Sequence, residues 1–405
     1  MFARLRRAKE EYPHQFWLLF WGMMISTVGA SMVWPFLMIY VSEKLDLPLS
    51  TVTTLMTVNA ISGLIFSFIA GPVADRVGRK RIMYISLISD GLAFLLLSQA
   101  DSYPAFMALM ALRGAINPLY RVGADAMMAD LIEPEKRPDA YSLLRMSNNI
   151  GISIGPSIGG FIAGVSYNLA FFIAAIGMVT YGILVIVQAR ETLPKHQSRP
   201  QVEKFGGYGR VLSDRPFISF VLAFLLNTVV ASMIWVLLSV YAKKNFGVPE
   251  SQYGFIATTN ALMVVFLQFA VTQITKRHTP LPVMAIGALF YAIGGASIAL
   301  GAGFWGFWMS MVIMTIGELI VTPTGSTYAA NRAPADMRGR YMSIYGLTWS
   351  VASGIGPLLG GFLNDNIAPV AIWYGAGIIG LSSVLAFIML ARRNRAIPTV
   401  TAQAS

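Results

Sequence analysis

The segment ASMVWPFLMIY, residues 30–40, returns almost unchanged as ASMIWVLLSVY, residues 231–241, at an offset of 201 positions. The same offset relates residues elsewhere in the chain, for example Asn59 and Asn260. One offset with no net gap indicates two homologous halves of equal length. Because this period is far longer than that of a solenoid repeat, the sequence predicts a duplicated domain.

The composition is that of a membrane protein. Hydrophobic residues make up 56% of the chain and charged residues only 12%, whereas soluble domains carry about 25% charged residues. Apolar runs long enough to cross a bilayer as helices recur along both halves. The sequence therefore predicts an all-α membrane protein with six spans in each half. We place these spans at 15–40, 51–70, 82–100, 104–130, 141–163, 168–188, 217–241, 253–273, 281–300, 304–328, 342–362 and 369–391.

The chain has a net charge of +11, and its Lys and Arg residues are distributed unequally between the loops on the two sides of the membrane. With both termini assigned to the cytoplasm, only Lys44, Lys243 and Lys244 of the 30 Lys and Arg residues fall on the outer side. Such a bias is the positive-inside pattern, and it sets the orientation. The positive charge is therefore explained by topology and by contact with anionic membrane lipids, and we expect no nucleic-acid partner.

The organisation of the chain leaves little room for function outside the membrane. Residues 190–214 form the longest polar interval and predict a cytoplasmic linker between an N-terminal bundle, 1–189, and a C-terminal bundle, 215–405, with a short cytoplasmic tail. The sequence has no cysteine, and its three histidines lie in or beside predicted cytoplasmic segments. We therefore expect no metal site, no cofactor and no enzymatic activity.

The loop between spans 2 and 3 carries a specific motif, GPVADRVGRKR, which begins at Gly71. It resembles the signature Gly-x-x-x-Asp-Arg-x-Gly-Arg-Lys/Arg of the major facilitator superfamily, which members carry in this loop. The resemblance extends to the whole chain: twelve spans, a central linker, and two halves related by a pseudo-twofold axis along the membrane normal. The matching residues are Gly71, Asp75, Arg76, Gly78, Arg79 and Lys80.

The resemblance implies that this loop is a cytoplasmic latch. Asp75 would cap a helix N-terminus in the opposite half, where the helix dipole is positive. Arg76 and Arg79 would pair with a carboxylate at the inner end of span 4, for which Asp130 matches the family position and Asp125 is the alternative. A solvated basic turn that only anchors topology remains the other interpretation.

A second motif, GISIGPSIGG, lies in span 5 and resembles the Gly-x-x-x-Gly-Pro-x-x-Gly-Gly signature of drug:proton antiporters. Small residues at this spacing also allow ordinary close packing of helices, so both interpretations stay open. Span 11 repeats the motif at the 201-residue offset. The helix-packing positions are Gly151, Gly155, Pro156, Gly159 and Gly160 in span 5, and Gly356, Pro357, Gly360 and Gly361 in span 11.

Charged residues within spans are costly and therefore predict function. Asp90 lies in span 3, Arg113 in span 4 and Glu318 in span 10. The offset maps Asn117, one turn from Arg113, onto Glu318, so we expect Arg113 and Glu318 to face each other across a central cavity. We predict that Glu318 carries the coupled proton with Arg113 as its electrostatic partner. Asp90 is either an alternative proton carrier or a carboxyl that a neighbouring helix satisfies.

Aromatic residues of the opening repeat predict the lining of the cavity. In the family, spans 1, 4, 7 and 10 surround this space. Tyr40 and Tyr241 lie near the outer ends, where we expect interfacial anchoring. An aromatic, mainly apolar cavity favours lipophilic or cationic substrates over sugars. Its predicted lining residues are Trp34, Asn117, Asn227, Trp235, Tyr345 and Trp349.

These observations predict a proton-coupled secondary transporter that exports lipophilic or cationic compounds by rocking of two six-helix bundles. A lipid or glycolipid flippase of the same fold and a metabolite importer are the alternatives. The expected partners are protons, membrane lipids and a small-molecule or lipid substrate. We expect a monomer in a bacterial cytoplasmic membrane, with both termini on the cytoplasmic side.

Overall fold

The computed structural model describes residues 12–133, 136–193, 208–334 and 337–395, and this part of the chain is almost entirely helical. Twelve long helices correspond one to one with the predicted spans. They are α1 (His14–Leu45), α2 (Leu49–Val77), α3 (Arg79–Gln99), α4 (Tyr103–Leu131), α5 (Arg137–Ala163), α6 (Tyr167–Gln188), α7 (Arg215–Phe246), α8 (Glu250–Thr275), α9 (Pro280–Ser297), α10 (Gly303–Arg332), α11 (Arg338–Asn366) and α12 (Ala371–Arg395).

Ten of these helices are long and apolar enough to cross a membrane by themselves. The other two, α4 and α5, carry charged residues such as Arg113, Arg121 and Arg145 within the span. Several helices extend past the predicted apolar run; α2, for example, continues to Val77 through the first part of the motif loop. Polar side chains at the end of a helix can reach water, so a helix can extend beyond its apolar segment.

Helix α1 is interrupted by one 3-10 turn, Trp34–Phe36, inside the first copy of the repeated segment. Pro35 lacks a backbone N–H and cannot continue the α-helical hydrogen-bond ladder, which accounts for the turn. The equivalent position in α7 is Val236, and α7 is continuous over Arg215–Phe246. Ser239 of α7 donates a hydrogen bond to the Pro35 carbonyl at 2.6 Å, so the two copies of the repeat contact each other directly.

The two sets of six helices pack by the same scheme. In the first half α1 packs on α5 and α6, α2 on α4, and α3 on α4 and α6. In the second half α7 packs on α11 and α12, α8 on α10, and α9 on α10 and α12. The halves meet chiefly through α2 with α11 and α5 with α8, which the 201-residue offset also exchanges. The fold is therefore two six-helix bundles related by a pseudo-twofold axis, as predicted.

Because consecutive helices run in opposite directions, the loops lie at two ends of the molecule. We call the end that carries the 77–79 and 131–137 connections the basic end. The end that carries the 45–49 and 246–250 connections is the far end. Of the predicted 190–214 linker, residues 194–207 lie outside the described residues, as does the end of the predicted C-terminal tail. A short helix, Tyr208–Ser213, precedes α7 at the basic end.

Candidate functional site

Polar contacts join the two halves at the far end. Lys243 of α7 lies 2.9 Å from Glu43 of α1 and also contacts Glu250 of α8 and Tyr167 of α6. Only 7% of the Glu250 side chain is exposed. We call these four residues, Glu43, Tyr167, Lys243 and Glu250, the far-end cluster. Nothing in the sequence patterns used above singled out this cluster.

Further contacts between the halves continue from the far end towards the centre of the molecule. The Ser50 backbone N–H donates to Asp365 at 2.6 Å, and Thr57 donates to the Gly354 carbonyl at 2.7 Å. Thr258 donates to the Ser153 carbonyl at 3.0 Å. Beyond these contacts, most residues of α2 and α8 on the way to the basic end are exposed or partly exposed. These contacts between the halves therefore lie in their far part, and α2 and α8 are more accessible towards the basic end.

Glu318 lies near the middle of α10 and is partly exposed. Its Oε2 accepts a hydrogen bond from Asn260 Nδ2 of α8 at 2.7 Å. Asn260 is only 4% exposed, and its Nδ2 also donates to Thr315 Oγ1 at 2.9 Å. The repeat relates Asn260 to Asn59, but the contact of Asn260 with Glu318 was not predicted. Inserting a neutral amide into a membrane costs less free energy than inserting a charge, so Asn260 was not identified as a functional residue.

The predicted pairing of Arg113 with Glu318 is wrong in this structure. Arg113 Nε of α4 instead contacts Asp90 Oδ1 of α3 at 2.7 Å, within the same half. Each of these two residues is 7% exposed. The guanidinium also lies over the Phe94 ring, 3.9 Å from its centroid. Two opposite charges in adjacent helices avoid the cost of leaving either one buried alone, which explains why Arg113 turns away from Glu318.

Of the three contacts that the resemblance implied for Asp75, Arg76 and Arg79, the structure shows the one made by Arg79. Arg79 Nε pairs with Asp130 Oδ2 of α4 at 2.8 Å. Asp75 has an exposed side chain whose ion-pair partner is Arg79, at 3.7 Å, so the expected contact with the opposite half is not made in this conformation. Arg76 is exposed and Lys80 partly exposed at the basic end.

An unpredicted carboxylate caps the helix that follows the motif. Glu191, just after α6, accepts hydrogen bonds from the backbone N–H groups of Arg79 and Lys80 at 3.0 and 3.2 Å. These groups are unpaired at a helix N-terminus, where negative charge is favourable. Gly78 adopts φ of +102° directly beneath the carboxylate, and a Cβ there would lie 2.3 Å from Glu191, so glycine fits both the turn and the space.

The glycine motifs of α5 and α11 are sites of close helix contact. A Cβ at Gly159 would lie 2.2 Å from the Met32 carbonyl of α1, and one at Gly360 2.1 Å from Leu237 of α7. Neighbouring glycines face the opposite half instead: a Cβ at Gly160 would lie 2.3 Å from the Glu250 carbonyl. The remaining positions pack in the same way: Gly151 and Gly155 against α1, Gly356 against α7 and Gly361 against α2, with Pro156 and Pro357 inside their helices.

The predicted cavity residues differ in their exposure. Asn117 and Trp349 are exposed, and Trp34, Trp235 and Tyr345 are partly exposed. Tyr345 packs in the second half against Phe224, with ring centroids 4.8 Å apart. The prediction for Asn227 is wrong in this conformation, because it is only 3% exposed.

The predicted interfacial anchoring of Tyr40 and Tyr241 is also wrong. Tyr40 is 7% exposed and donates to the Ser98 carbonyl at 2.9 Å, while Tyr241 is 5% exposed and packs on Trp373. Each phenol has a place inside its own half, so neither ring is free to sit among lipid headgroups.

A separate groove of about 550 Å³ opens near the far end, where α2, α4 and α11 meet. One wall presents hydroxyl groups and the other presents leucine and phenylalanine side chains. Its lining residues are Ser50, Thr51, Thr54, Tyr103, Leu358, Leu359 and Phe362.

Duplicated six-helix bundles, a basic motif loop and buried charges at mid-span define a membrane transporter. The chain belongs to the major facilitator superfamily, whose family model matches residues 19–241 and 220–405. A Na(+), Li(+), K(+)/H(+) antiporter of Planococcus maritimus is 27% identical over 391 residues, which cover 87% of this chain and 89% of that protein. The quinolone resistance protein NorA of Staphylococcus aureus is 23% identical over 376 residues, covering 92% of this chain and 96% of that protein.

Solved structures share the fold. A peptide transporter of the POT type in complex with sulfate superimposes with a TM-score of 0.80 at 17% identity, covering 95% of this chain and 94% of that one. A bacterial homolog of the human lysosomal transporter Spinster gives a TM-score of 0.74 at 14% identity, covering 94% and 95%. At these identities the likeness concerns the fold alone. The protein is a multi-pass membrane transporter and not an enzyme.

Proposed function

We propose that this transporter is a proton-coupled antiporter that exports lipophilic or cationic compounds by alternating access, with Glu318 as its proton-carrying carboxylate. In this proposal the basic end faces the cytoplasm of a bacterial cell, and the conformation described above is open to that side. The basic motif loop and the few lysines at the far end support this orientation.

The observation that carries the proposal is the contrast between the two mid-span carboxylates. Asp90 is paired with Arg113 at 2.7 Å and is nearly buried, so its charge is already neutralised. Glu318 is partly exposed, and its hydrogen-bond partner Asn260 is neutral. A carboxylate without a compensating cation can change protonation as its surroundings alternate between water and protein. Glu318 is therefore the better placed of the two to exchange a proton.

The position of Glu318 also suits coupling. Transporters of this architecture bind substrate and coupling ions near the bilayer midplane, where the two halves face each other. Glu318 lies near the middle of α10, on the basic side of the contacts that close the far end. In the proposed cycle it releases its proton towards the cytoplasm in this conformation, cationic substrate then binds near the ionised carboxylate, and proton loading from the far side displaces the substrate.

The relatives support antiport and export without identifying the substrate. One relative is named an antiporter of Na(+), Li(+) or K(+) with H(+), and another is named for quinolone resistance. The partly exposed aromatic side chains Trp34, Trp235 and Tyr345 are compatible with an organic cation. A small alkali cation is the substrate that the first relative favours.

A lipid substrate is the second candidate, and the groove between α2, α4 and α11 favours it. That groove combines hydroxyl groups with apolar side chains on the outer surface of the helices. An amphipathic molecule has both kinds of surface, and it could approach the groove sideways from the membrane.

The test uses the purified protein reconstituted into vesicles with an imposed pH gradient. Ethidium is the probe for organic cations, Na(+) and K(+) are tested as competitors, and a fluorescent phospholipid reports lipid scrambling. The proposal predicts ethidium movement against its gradient that stops when a protonophore collapses the pH difference. Scrambling without pH-dependent ethidium transport would support the lipid alternative, and ethidium transport indifferent to the protonophore would exclude proton coupling.

Orientation is tested by cysteine labelling, because the chain has no native cysteine. Ser102 lies exposed at the far end and His278 exposed at the basic end. In intact cells, an impermeant maleimide should label Ser102→Cys and leave His278→Cys unlabelled until the membrane is opened. The reverse pattern would invert the proposed orientation.

A further inference from the structure

We propose that Asn260 and Thr315 form a positioning pair that favours the ionised form of Glu318 in this conformation and links release of its proton to closure of the far end. This inference rests on the proposed role of Glu318. It concerns the chain of hydrogen bonds that connects α8 to α10, and it uses two residues to which the sequence patterns assign no function.

The direction of the hydrogen-bond chain is set at its buried end. Thr315 is 0% exposed, and its hydroxyl donates to the Met311 carbonyl at 2.7 Å. A hydroxyl has one proton to donate, so the Thr315 oxygen can only accept from its other neighbour. That neighbour is Asn260 Nδ2, at 2.9 Å. The threonine therefore fixes which face of the Asn260 amide points towards it.

The same nitrogen, Asn260 Nδ2, also donates a hydrogen bond to Glu318. Asn260 Nδ2 lies 2.7 Å from Glu318 Oε2, and its two N–H groups supply both bonds. A fixed N–H donor favours the ionised carboxylate, which accepts only, over the protonated form. If the Asn260 amide rotated by half a turn, its oxygen would face the oxygens of Thr315 and Glu318 in place of its nitrogen. Thr315 would then have to release the Met311 carbonyl and Glu318 would have to gain a proton.

The second half thus couples two events, protonation of Glu318 and rotation of a buried amide. The first half shows what the equivalent residue does without such a site. Asn59, which the repeat relates to Asn260, donates to the Met110 carbonyl at 3.0 Å. The position equivalent to Thr315 there is Gly114, which has no hydroxyl. The locked amide is therefore a feature of one half and not a general packing requirement of the fold.

Among the residues that the structure describes, no arginine or lysine contacts Glu318. Tyr291 of α9 packs on α10 at Gly317, next to Glu318, and the Tyr345 hydroxyl of α11 lies beside Gly325 of α10. Arg145 of α5, in the opposite half, is the charged group near Tyr345. Phenols stay neutral over the range in which carboxylates titrate. Asn260 is accordingly the main polar influence on the charge of Glu318 in the described part of the chain.

The position of Asn260 on α8 connects the pair to the far end. Thr258, two residues earlier, donates to the Ser153 carbonyl of α5. One turn before it, a Cβ at Gly254 would lie 2.6 Å from the Pro156 carbonyl. This stretch of α8 is therefore part of the closed contact between the halves. When the far end opens, these contacts to α5 break and α8 is freed from α5. We infer that Asn260 then shifts relative to α10, and Glu318 loses its donor and takes up a proton from that side.

The test measures protonation of Glu318 without any substrate. Infrared difference spectra of the purified protein between acid and alkaline pH contain a carboxyl band, and the part removed by Glu318→Gln belongs to Glu318. In Asn260→Ala the pH at which half of this band is lost should move upward by about one to two units, the equivalent of one hydrogen bond to a charged group. Thr315→Val keeps the shape but frees the amide, and it should move the midpoint in the same direction by less.

Asn59→Ala is the matched control, because it removes the equivalent amide from the other half. Its midpoint should equal that of the unmodified protein. Equal midpoints in Asn260→Ala and the unmodified protein would overturn the inference, and so would the same shift in Asn59→Ala. Pairing this measurement with ethidium transport separates the two proposals. A shifted midpoint in Asn260→Ala, combined with no pH-driven ethidium transport by the unmodified protein, would refute the coupling role of Glu318 alone. Normal pH-driven transport by the unmodified protein, combined with an unshifted midpoint in Asn260→Ala, would refute the positioning pair alone.

Discussion

Lys243 of α7 reaches across the molecule to Glu43 of α1, with 2.9 Å between the ammonium nitrogen and the carboxylate oxygen. The same ammonium contacts Glu250 on its own half and Tyr167 on the other. A single side chain thus holds together four helices at the far end. Alternating access requires such contacts to break when the far end opens, so Lys243 should bias the equilibrium between the two conformations.

Replacing Lys243 by alanine should favour opening of the far end. Because Glu43 is 42% exposed, the pair is worth at most about 1 kcal/mol, or roughly a fivefold change in population. Loss of the partner of the nearly buried Glu250 acts in the same direction. Spin labels on cysteines at Ser102 and Ile367, exposed in opposite halves, report the distance.

Lys44→Ala is the control, since Lys44 pairs with Asp101 within one half at 2.9 Å. It should leave the distance distribution unchanged. If Lys243→Ala and Lys44→Ala gave the same distribution, the far-end cluster would not hold the halves together.

The motif loop predicts an effect at the opposite end. Asp75 is 68% exposed here, so Asp75→Asn should leave the present conformation intact. If Asp75 caps a helix of the other half when the basic end closes, its loss disfavours that closed state by about 0.3–1 kcal/mol. Labels at Gln188 and His278 should then show a larger fraction of the open basic end. Asp139→Asn, another exposed carboxylate at this end, should have no effect; equal behaviour of the two variants would reduce the loop to a topological anchor.

The glycine motif makes a prediction about stability. Gly159→Ala places a methyl group 2.2 Å from the Met32 carbonyl, a backbone atom that cannot move alone. Overpacking of this kind costs about 1–3 kcal/mol, so the Tm in detergent should fall. Gly346→Ala is the control on α11, because a Cβ there meets nothing within 4 Å. A Tm for Gly159→Ala equal to that of Gly346→Ala would show that α5 does not pack on α1 at this point.

The start of α7 gives a prediction about pH. Burial disfavours the charge of Asp214, but hydrogen bonds from the Phe217 N–H, Arg332 and Tyr341 outweigh it and hold the pKa of Asp214 below its ordinary value of 3.8. A lowered pKa stabilises the folded state above that ordinary value, and the gain disappears as the pH falls through the lowered one.

Asp214→Asn keeps a capping side chain but removes this charge. The unmodified protein should therefore be the more stable of the two at neutral pH, by about 1 kcal/mol or less. The difference should vanish in strongly acidic solution. A difference in Tm that stays constant from neutral to acidic pH would contradict this account.

The sequence was sufficient for the architecture because the membrane restricts the choices. Twelve apolar runs, one offset and a loop motif leave a pair of helical bundles as the solution, and every predicted span became a helix. Only details of the backbone differ, such as the 3-10 turn at Pro35 and the extension of α2 to Val77. Both follow from rules about proline and about polar helix ends, which could have been applied to the sequence.

The site was less predictable because the symmetry of the repeat describes positions and not side-chain directions. The offset placed Arg113 opposite Glu318, but a buried guanidinium turns to the nearest buried carboxylate, and Asp90 lies on the adjacent helix. The presence of both charges in one half was a usable signal. The hydrogen-bond partner of Glu318 is the neutral amide of Asn260, a residue that the repeat relates to Asn59. For the far-end cluster, by contrast, pairing depends on how closely the two halves approach, which no pattern within one half determines.

The most direct test of the central claim is pH-driven transport by Glu318→Gln in reconstituted vesicles. Glutamine keeps the shape and can still accept from Asn260, but it cannot exchange a proton. The account predicts that ethidium accumulation against its gradient is abolished, while exchange of ethidium down its gradient continues at a similar rate. Asp90→Asn is measured beside it. Full pH-driven accumulation in Glu318→Gln together with its loss in Asp90→Asn would contradict the account and assign the proton to α3.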